Sequence, residues 1–203
     1  MSFRIHAFAI LLTIAASACS ATAAESRSGT LVLDPSRTLV EFRLAGALHT
    51  THGNFKLERG TISADPATGE ASGVVVIDAK SGDSGIGARD RRMKEEVLEA
   101  QKYPEIIFEP RRVTGRLEKD QFQAVLQGIL KVHGTDHPIT MEIQGQFEGS
   151  SLIAKSHFSV PYVEWGMTDP SILFLTVAKQ VDIDIATSGT VVWTIAQAQS
   201  RRN

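Results

Sequence analysis

Apolar and polar residues alternate with a period of two along most of the chain. Val40, Phe42 and Leu44 share one parity, whereas Glu41 and Arg43 take the other. Successive side chains of a strand point to opposite faces of a sheet, so this alternation predicts a strand with one buried and one wetted face.

Two segments in the second half of the chain show the same alternation more fully. Their predicted inward positions are Phe122, Ala124, Leu126, Gly128, Leu130 and Val132, then Ile139, Met141, Ile143, Gly145 and Phe147. Further strands are predicted within 31–33, 55–64, 71–79, 106–115, 152–160, 173–185 and 190–195. Turn residues such as Gly, Pro and Asp separate these segments, which predicts an all-β sandwich or barrel.

One segment has helical spacing instead. In "RDRRMKEEVLEAQKYP", Met93, Val97 and Ala100 recur on one helix face, Asp90 is a predicted N-cap, and Pro104 is a predicted stop. Two pairs of opposite charges are spaced four residues apart, Arg91 with Glu95 and Arg92 with Glu96. A single helix in a β chain is expected to pack across an open face or one end of a barrel.

Length and composition fit one globular domain. The chain has 203 residues, of which 42% are hydrophobic and 22% are charged. The net charge of -2 argues against a nucleic-acid partner, because no basic excess is present to neutralise phosphates.

The first 24 residues predict a secretory signal peptide. A basic residue, Arg4, precedes the apolar run "AFAILLTIAA", and small residues follow with a predicted cleavage after Ala23 or one residue later. The apolar run is shorter than the roughly 20 residues that span a bilayer. The expected location is therefore the periplasm or the exterior. Cys19, the only cysteine, offers lipoprotein anchoring as an alternative, and residues 196–203 are predicted to form a flexible polar tail.

Histidines form two local pairs that raise the question of a metal site. His49 and His52 are three residues apart, and His133 and His137 are four apart. A zinc site requires three or four convergent ligands, which two loops at one barrel rim could supply. The competing interpretation is that these are turn histidines bonded to the backbone, so no metal ligand and no cofactor is predicted.

Other candidate chemistry is weaker. The loop 81–87 contains "GDSG", which is similar to the nucleophile loop of trypsin-like serine proteases, but a catalytic triad is defined by geometry rather than by four letters. Asp182 and Asp184 share the wetted face of one strand. Arg89, Arg91 and Arg92 at the predicted helix start could hold an anion or could be a solvated face. No catalytic set is predicted.

Several stretches together resemble one protein family. "VEFRLAG", "HTTHGNFKLERGTISAD", "GARDRRMKEEVLEAQKYPEIIFEP", "VLQGILKVHGTDHPITMEI", "VPYVEWGM" and "VDIDI" occur in the order found in the YceI-like polyisoprenoid-binding proteins of bacteria. The resemblance covers residues 29–186, and its specificity lies in the ordered set.

The resemblance implies an all-β, extended antiparallel lipocalin-like barrel of about eight strands, with one short helix near an end, over residues 29–195. It implies a binding protein without a catalytic step, whose ligand is an amphiphilic isoprenoid lipid of polyprenyl or quinone type. The oligomeric state is left open, with a homodimer as one option. Two alternatives stay open as well: a metal-dependent enzyme that uses rim histidines, and a ligand-free, stress-related barrel.

The expected ligand-binding residues follow from strand parity. The predicted channel lining is Val40, Phe42, Leu44, Phe55, Leu57, Phe122, Leu126, Leu130, Ile139, Met141, Ile143, Phe147 and Phe158. The residues predicted to contact the head group or to form the mouth are Arg89, Arg92, His49, His52, Tyr162 and Trp165.

Overall fold

A computed structural model describes residues 26–173 and 175–196. The predicted signal peptide, Cys19 and most of the predicted tail lie outside the described residues. The described residues form nine strands: β1 Ser26–Leu33, β2 Leu39–Leu44, β3 Thr51–Ala64, β4 Ala71–Asp83, β5 Glu105–Glu118, β6 Gln121–Val132, β7 Thr135–Glu148, β8 Ser151–Val160 and β9 Val181–Ala196. A short helix, α1 Gly87–Arg92, continues as a π-helical turn over Met93–Val97, and a 3₁₀ turn occupies Pro35–Arg37.

The strands close into an antiparallel barrel. Neighbours follow the order β1-β3-β2-β9-β8-β7-β6-β5-β4, and β3 also pairs with β4 to complete the circle. Both β1 and β2 lie between β3 and β9, where the 3₁₀ turn divides one strand position into two. Nine strands therefore fill eight positions, which confirms the predicted all-β barrel of about eight strands with a single short helix.

Burial alternates as the sequence pattern predicts. Val40, Phe42, Leu126 and Met141 are buried on the inner face. Glu142, next to Met141, is exposed on the outer face. Burying a large aliphatic side chain contributes roughly 1.5–3 kcal/mol, so this inward set provides much of the stability of the fold.

Because the strands are antiparallel, successive connections lie alternately at the two ends of the barrel. The end that carries residues 45–50, 84–104, 133–134 and 161–180 is called the helix end. The other, called the turn end, carries the connections 65–70, 119–120 and 149–150.

The helix differs from its prediction at both boundaries. It begins at Gly87, with Ile86 in the N-cap position, so Asp90 is a buried residue inside the helix rather than its cap. It ends after Val97, well before Pro104: the backbone widens at Met93, where the Leu98 N–H donates to the Met93 carbonyl, and Glu99 then adopts a positive φ of 45°, which no helix continues. Of the predicted charge pairs, Arg92 meets Glu96 at 2.9 Å.

Candidate functional site: an apolar barrel cavity

A cavity of about 620 Å³ occupies the barrel interior. This volume lies within the range of small-molecule sites, which is roughly 300–1,000 Å³. Nine of the thirteen residues predicted as channel lining border it: Val40, Leu57, Phe122, Leu126, Leu130, Met141, Ile143, Phe147 and Phe158.

The other four predicted lining residues lie elsewhere in the fold. Phe42 packs against Phe55 with ring centroids 5.4 Å apart, and Leu44 and Ile139 pack against the main hydrophobic core. These four positions have the inward parity but do not border the cavity.

Most of the missed cavity residues lie in strands where no lining residue was predicted. In β3, Ile62 was missed because a bulge after Leu57 shifts the inward parity, and in β8, Leu152 was missed although it shares the parity of Phe158. The missed apolar residues include Leu31, Leu33, Ile62, Val75, Phe108, Leu152, Val191 and Trp193. Residues 31–33, 62, 75 and 152 all fall within predicted strands, so alternation existed there as a signal. The sequence did not show which of the two alternating sets of residues in each short strand faces the barrel interior.

Close packing fills the barrel towards the helix end. Val97, Val132, Val160, Tyr162 and Met167 are buried in the cluster that blocks this side. The Tyr162 hydroxyl donates to the Ala178 carbonyl at 2.8 Å. Burial, followed by the nearby charge of Asp169, raises the pKa of Tyr162 to about 12, so this phenol remains a neutral packing group.

Trp165 also packs at the helix end. Its ring stacks on the His137 ring with centroids 3.9 Å apart and planes 4° apart. Burial lowers the pKa of His137, which favours the neutral imidazole against the indole face. Neither Tyr162 nor Trp165 borders the cavity.

Arg89 and Asp90 hold the loop that follows β4. Arg89 donates from Nε to the Ser84 hydroxyl at 2.7 Å and from Nη2 to the Ser84 carbonyl at 2.8 Å. A third guanidinium nitrogen reaches Thr51 Oγ1 at 3.3 Å. The Ser84 N–H donates to Asp90 Oδ1 at 2.9 Å, and the Ser84 hydroxyl bonds the same oxygen.

This network explains the ionisation of Asp90 and the role of the "GDSG" loop. Burial raises the pKa of Asp90, but the two Ser84 hydrogen bonds together with Lys94 and Arg89 outweigh it, so the net pKa lies below the usual value. The Ser84 hydroxyl is committed to Arg89 and Asp90. It is a structural contact that links loop to helix.

The remaining predicted mouth residues also lie at the helix end. Arg92 pairs with Glu96, while His49 and His52 are exposed in and just after the connection between β2 and β3. None of the six predicted head-group or mouth residues borders the cavity. These residues lie in or beside connections that the strand order places at the helix end, where close packing fills the barrel.

The histidine pairs do not converge. His133 lies 3.3 Å from a Glu99 oxygen, whereas His137 stacks on Trp165. His157, on the outer face, lies 2.9 Å from Asp184. Across residues 26–173 and 175–196, no three His, Cys, Asp or Glu side chains form a metal-binding group.

The cavity reaches the surface at the turn end. There it is bordered by the exposed residues Pro66, Ala67 and Thr68 of the β3–β4 connection and by Leu117 of β5. Trp193 of β9, which is about half exposed, also borders the cavity. A ligand could enter between these elements with its apolar part directed towards Met141 and Leu130.

Cationic side chains border this opening. Arg112, Arg116 and Lys155 contribute to the lining, and no Asp or Glu is present among the described lining residues. In the same described part of the chain, no helix combines the length and hydropathy needed to cross a bilayer.

Solved structures share this fold at low sequence identity. BcnA of Burkholderia cenocepacia matches with a TM-score of 0.65 and 18% identity, covering 78% of this chain and 99% of BcnA. A polyisoprenoid-binding domain of Saccharophagus degradans, implicated in plant cell wall breakdown, matches with a TM-score of 0.62 and 15% identity, covering 80% and 98%. The Campylobacter jejuni YceI protein matches with a TM-score of 0.54 and 16% identity, covering 72% and 85%.

Sequence comparison assigns the family. Comparison with curated proteins finds no significant match. A profile of the YceI-like domain, in contrast, matches residues 31–188, from β1 into β9. With that match and a closed barrel around an apolar cavity, the chain belongs to the family of YceI-like domain proteins.

Proposed function

We propose that this protein binds a long isoprenoid lipid, of polyprenyl or quinone type, in the barrel cavity and carries or stores it outside the cytoplasm. The observation that supports this most directly is the cavity of about 620 Å³, whose lining is dominated by aliphatic and aromatic side chains. The family match and the polyisoprenoid-binding structural neighbour are consistent with such a ligand. The extracytoplasmic location rests on the predicted signal sequence.

Hydrophobic burial is sufficient for binding of this kind. Each buried methylene contributes roughly 0.8 kcal/mol, so a five-carbon isoprene unit contributes on the order of 4 kcal/mol. Association costs an estimated 4–15 kcal/mol in lost freedom of motion, which a few isoprene units offset. Binding therefore needs no covalent or metal contact, and the proposed role is that of a binding protein rather than an enzyme.

Tryptophan fluorescence offers a direct test. Of the two tryptophans, Trp193 borders the cavity and Trp165 does not. A Trp165→Phe variant, stripped of lipid with organic solvent and refolded, should change its emission saturably when titrated with a polyprenol. Short water-soluble alcohols should have no such effect.

A matched pair of variants locates the binding site. Ala154 borders the cavity on β8, and its neighbour Ile153 has the opposite parity and contributes to the outer surface. Ala154→Trp should reduce polyprenol binding at least tenfold because the ring occupies the cavity, whereas Ile153→Trp should bind normally. Equal binding by both folded variants, or no uptake by the parent protein, would contradict the proposal.

A further inference from the structure

Exposed apolar side chains gather at the helix end of the barrel. In the described connections at this end, five large apolar side chains are exposed, and together they are called the apolar patch: Leu48, Ile86, Ile172, Leu173 and Leu175. Leu48 is 77% exposed and Leu173 is 88% exposed. Single exposed apolar residues are ordinary on a protein surface, whereas a group of them at one end of a fold marks a contact surface.

A tight hairpin carries three residues of the patch. The Ile172 N–H donates to the Leu175 carbonyl at 3.1 Å, and the Leu175 N–H donates to the Ile172 carbonyl at 2.8 Å. Leu173, at a φ of 48°, lies at the tip of this hairpin. Because these backbone groups satisfy one another, the tip can enter an apolar phase without leaving them unpaired.

The other two residues of the patch lie on neighbouring segments. The Ala47 N–H donates to the Thr176 carbonyl at 2.9 Å, which brings Leu48 beside the base of the hairpin. Ile86 directly precedes α1, and Arg89 of that helix reaches the start of β3 at 3.3 Å, close to the β2–β3 connection. The patch therefore spans adjacent segments of one end of the molecule.

Cations without ion-pair partners lie next to Ile86. They line a surface recess beside α1, and no described carboxylate forms an ion pair with them: Lys80, Arg91 and Lys94. Two carboxyl groups border the same recess. Asp90 is buried and accepts hydrogen bonds from Ser84, so Glu95 is its one exposed carboxylate. The recess consequently presents an excess of positive charge beside the apolar patch.

We propose that the helix end docks on an anionic lipid bilayer, with the apolar patch inserted at the interface and Lys80, Arg91 and Lys94 among the head groups. A hairpin tip is convex, which suits insertion between lipids, and the unpaired cations complement the negative surface of such a membrane. The inference goes beyond the proposed function and does not depend on it. Because the cavity opens at the turn end, the docked barrel would present that opening to the aqueous side.

Vesicle flotation tests the docking. The purified protein is mixed either with vesicles in which a quarter of the lipid is phosphatidylglycerol and the rest phosphatidylcholine, or with phosphatidylcholine vesicles. It should float with the anionic vesicles and bind the neutral ones at least tenfold more weakly, since each cation at an anionic surface contributes roughly fivefold. High salt should reduce this difference. A protein that does not float with anionic vesicles would overturn the inference.

Polar substitution of the patch supplies a matched comparison. Leu48→Ser/Leu173→Asn should weaken vesicle binding at least tenfold, and it should fold because both side chains are exposed and asparagine tolerates the left-handed backbone at position 173. Leu39→Asn, at an exposed position on the barrel wall, should bind like the parent. Near-ultraviolet circular dichroism verifies that each variant is folded. Full binding by the folded double variant would show that the patch is not the docking surface.

Reversal of single charges tests the role of the cations. Arg91→Glu should reduce the preference for anionic vesicles at least fivefold. Arg111→Glu makes the same change on β5, where Arg111 lies 2.6 Å from Glu109, and should leave the preference unchanged. An unchanged preference in Arg91→Glu would contradict the placement of this recess at the membrane.

A second copy of the chain is the competing occupant of the patch. Analytical ultracentrifugation without vesicles should give the same oligomeric state for the parent and for Leu48→Ser/Leu173→Asn. If the parent self-associates, the double variant does not, and the parent fails to float with vesicles, the patch is an interface between copies and the membrane inference is wrong.

Discussion

At the scale of single residues, Arg89 and Asp90 lie in the predicted helix, but their roles in the structure differ from the predicted ones. Sequence alone placed Asp90 as a helix cap and Arg89 near a lipid head group. In the structure both side chains converge on Ser84, and Arg89 also reaches Thr51 on β3. Sequence spacing could not reveal this because Ser84 precedes the helix in a loop whose path depends on tertiary packing.

Removing the Asp90 carboxylate should destabilise the protein. Asp90→Ala leaves the Ser84 N–H and the Ser84 hydroxyl without their common acceptor, at a cost of about 1–3 kcal/mol in the free energy of unfolding. Urea denaturation measures this change. Glu95→Ala, an exposed change in the π-helical turn, should alter the stability by less than about 0.5 kcal/mol. Equal effects from the two variants would contradict a structural role for Asp90.

The same carboxylate should make stability depend on acidity. Its folded-state pKa lies below the unfolded reference of 3.8, so on acidification the unfolded state takes up the proton first. The contribution of Asp90 is therefore fully present above pH 3.8 and is lost as the pH falls through the lower folded-state pKa. The stability difference between the parent and Asp90→Asn should shrink over that interval, as followed by urea titrations between pH 6 and pH 3. If the stability difference between the two proteins grows on acidification, the pKa of Asp90 is not lowered in the folded state.

At the scale of elements, period-two alternation predicted most strands because one face of each strand is buried. The two strands predicted at 173–185 and 190–195 are instead one strand, β9, which begins at Val181. The helix boundaries were less predictable: Ile86 at the N-cap makes no side-chain capping bond, and the π-helical widening at Met93 has no sequence signal of the usual kind. Turn chemistry was more informative. His133 and Gly134, both at positive φ, form the two-residue connection between β6 and β7 that the sequence predicts as a turn.

Two glycine substitutions, one in this hairpin and one in the β7–β8 turn, separate the cost of backbone strain from the cost of crowding. Gly134 (φ 75°) has the Tyr103 ring where a Cβ would lie, whereas Gly149 (φ 63°), in the β7–β8 turn, has open space. Gly149→Ala should cost roughly 1 kcal/mol from the left-handed backbone alone. Gly134→Ala should cost roughly 1–3 kcal/mol more, because the ring must move. Chemical denaturation of both variants measures the two losses in the free energy of unfolding. Similar losses would contradict the prediction, because they would mean that the Tyr103 ring moves aside at no energetic cost.

At the scale of the whole molecule, the fold and its ligand-sized interior were accessible from the sequence, but the direction of the opening was not. Parity identifies which face of a strand is inward, and nine predicted residues border the cavity. Which end is closed depends on how the segment 161–180 and the helix pack over distant strands. No local pattern encodes that arrangement, so the arginines of β5 that border the cavity were not among the predicted mouth residues.

Ligand occupancy should stabilise the whole barrel. A lipid that binds only the folded state adds about 2.7 kcal/mol when its free concentration is 100 times Kd. For a chain of this size, such a gain should raise Tm by roughly 5–11 °C. Differential scanning calorimetry of stripped and reloaded protein measures the shift, and Ala154→Trp should show little of it. A shift of the same size in Ala154→Trp would place the ligand outside the cavity.

The most direct measurement for the central claim is native mass spectrometry of the intact protein, recovered without organic solvent from a bacterial periplasmic fraction. The proposed function predicts a species heavier than the chain by one isoprenoid lipid, the loss of that mass on solvent extraction, and its return at one lipid per chain when polyprenyl lipid is added. A bare chain both before extraction and after incubation with polyprenyl lipids would contradict the claim that this barrel is a lipid-binding cavity.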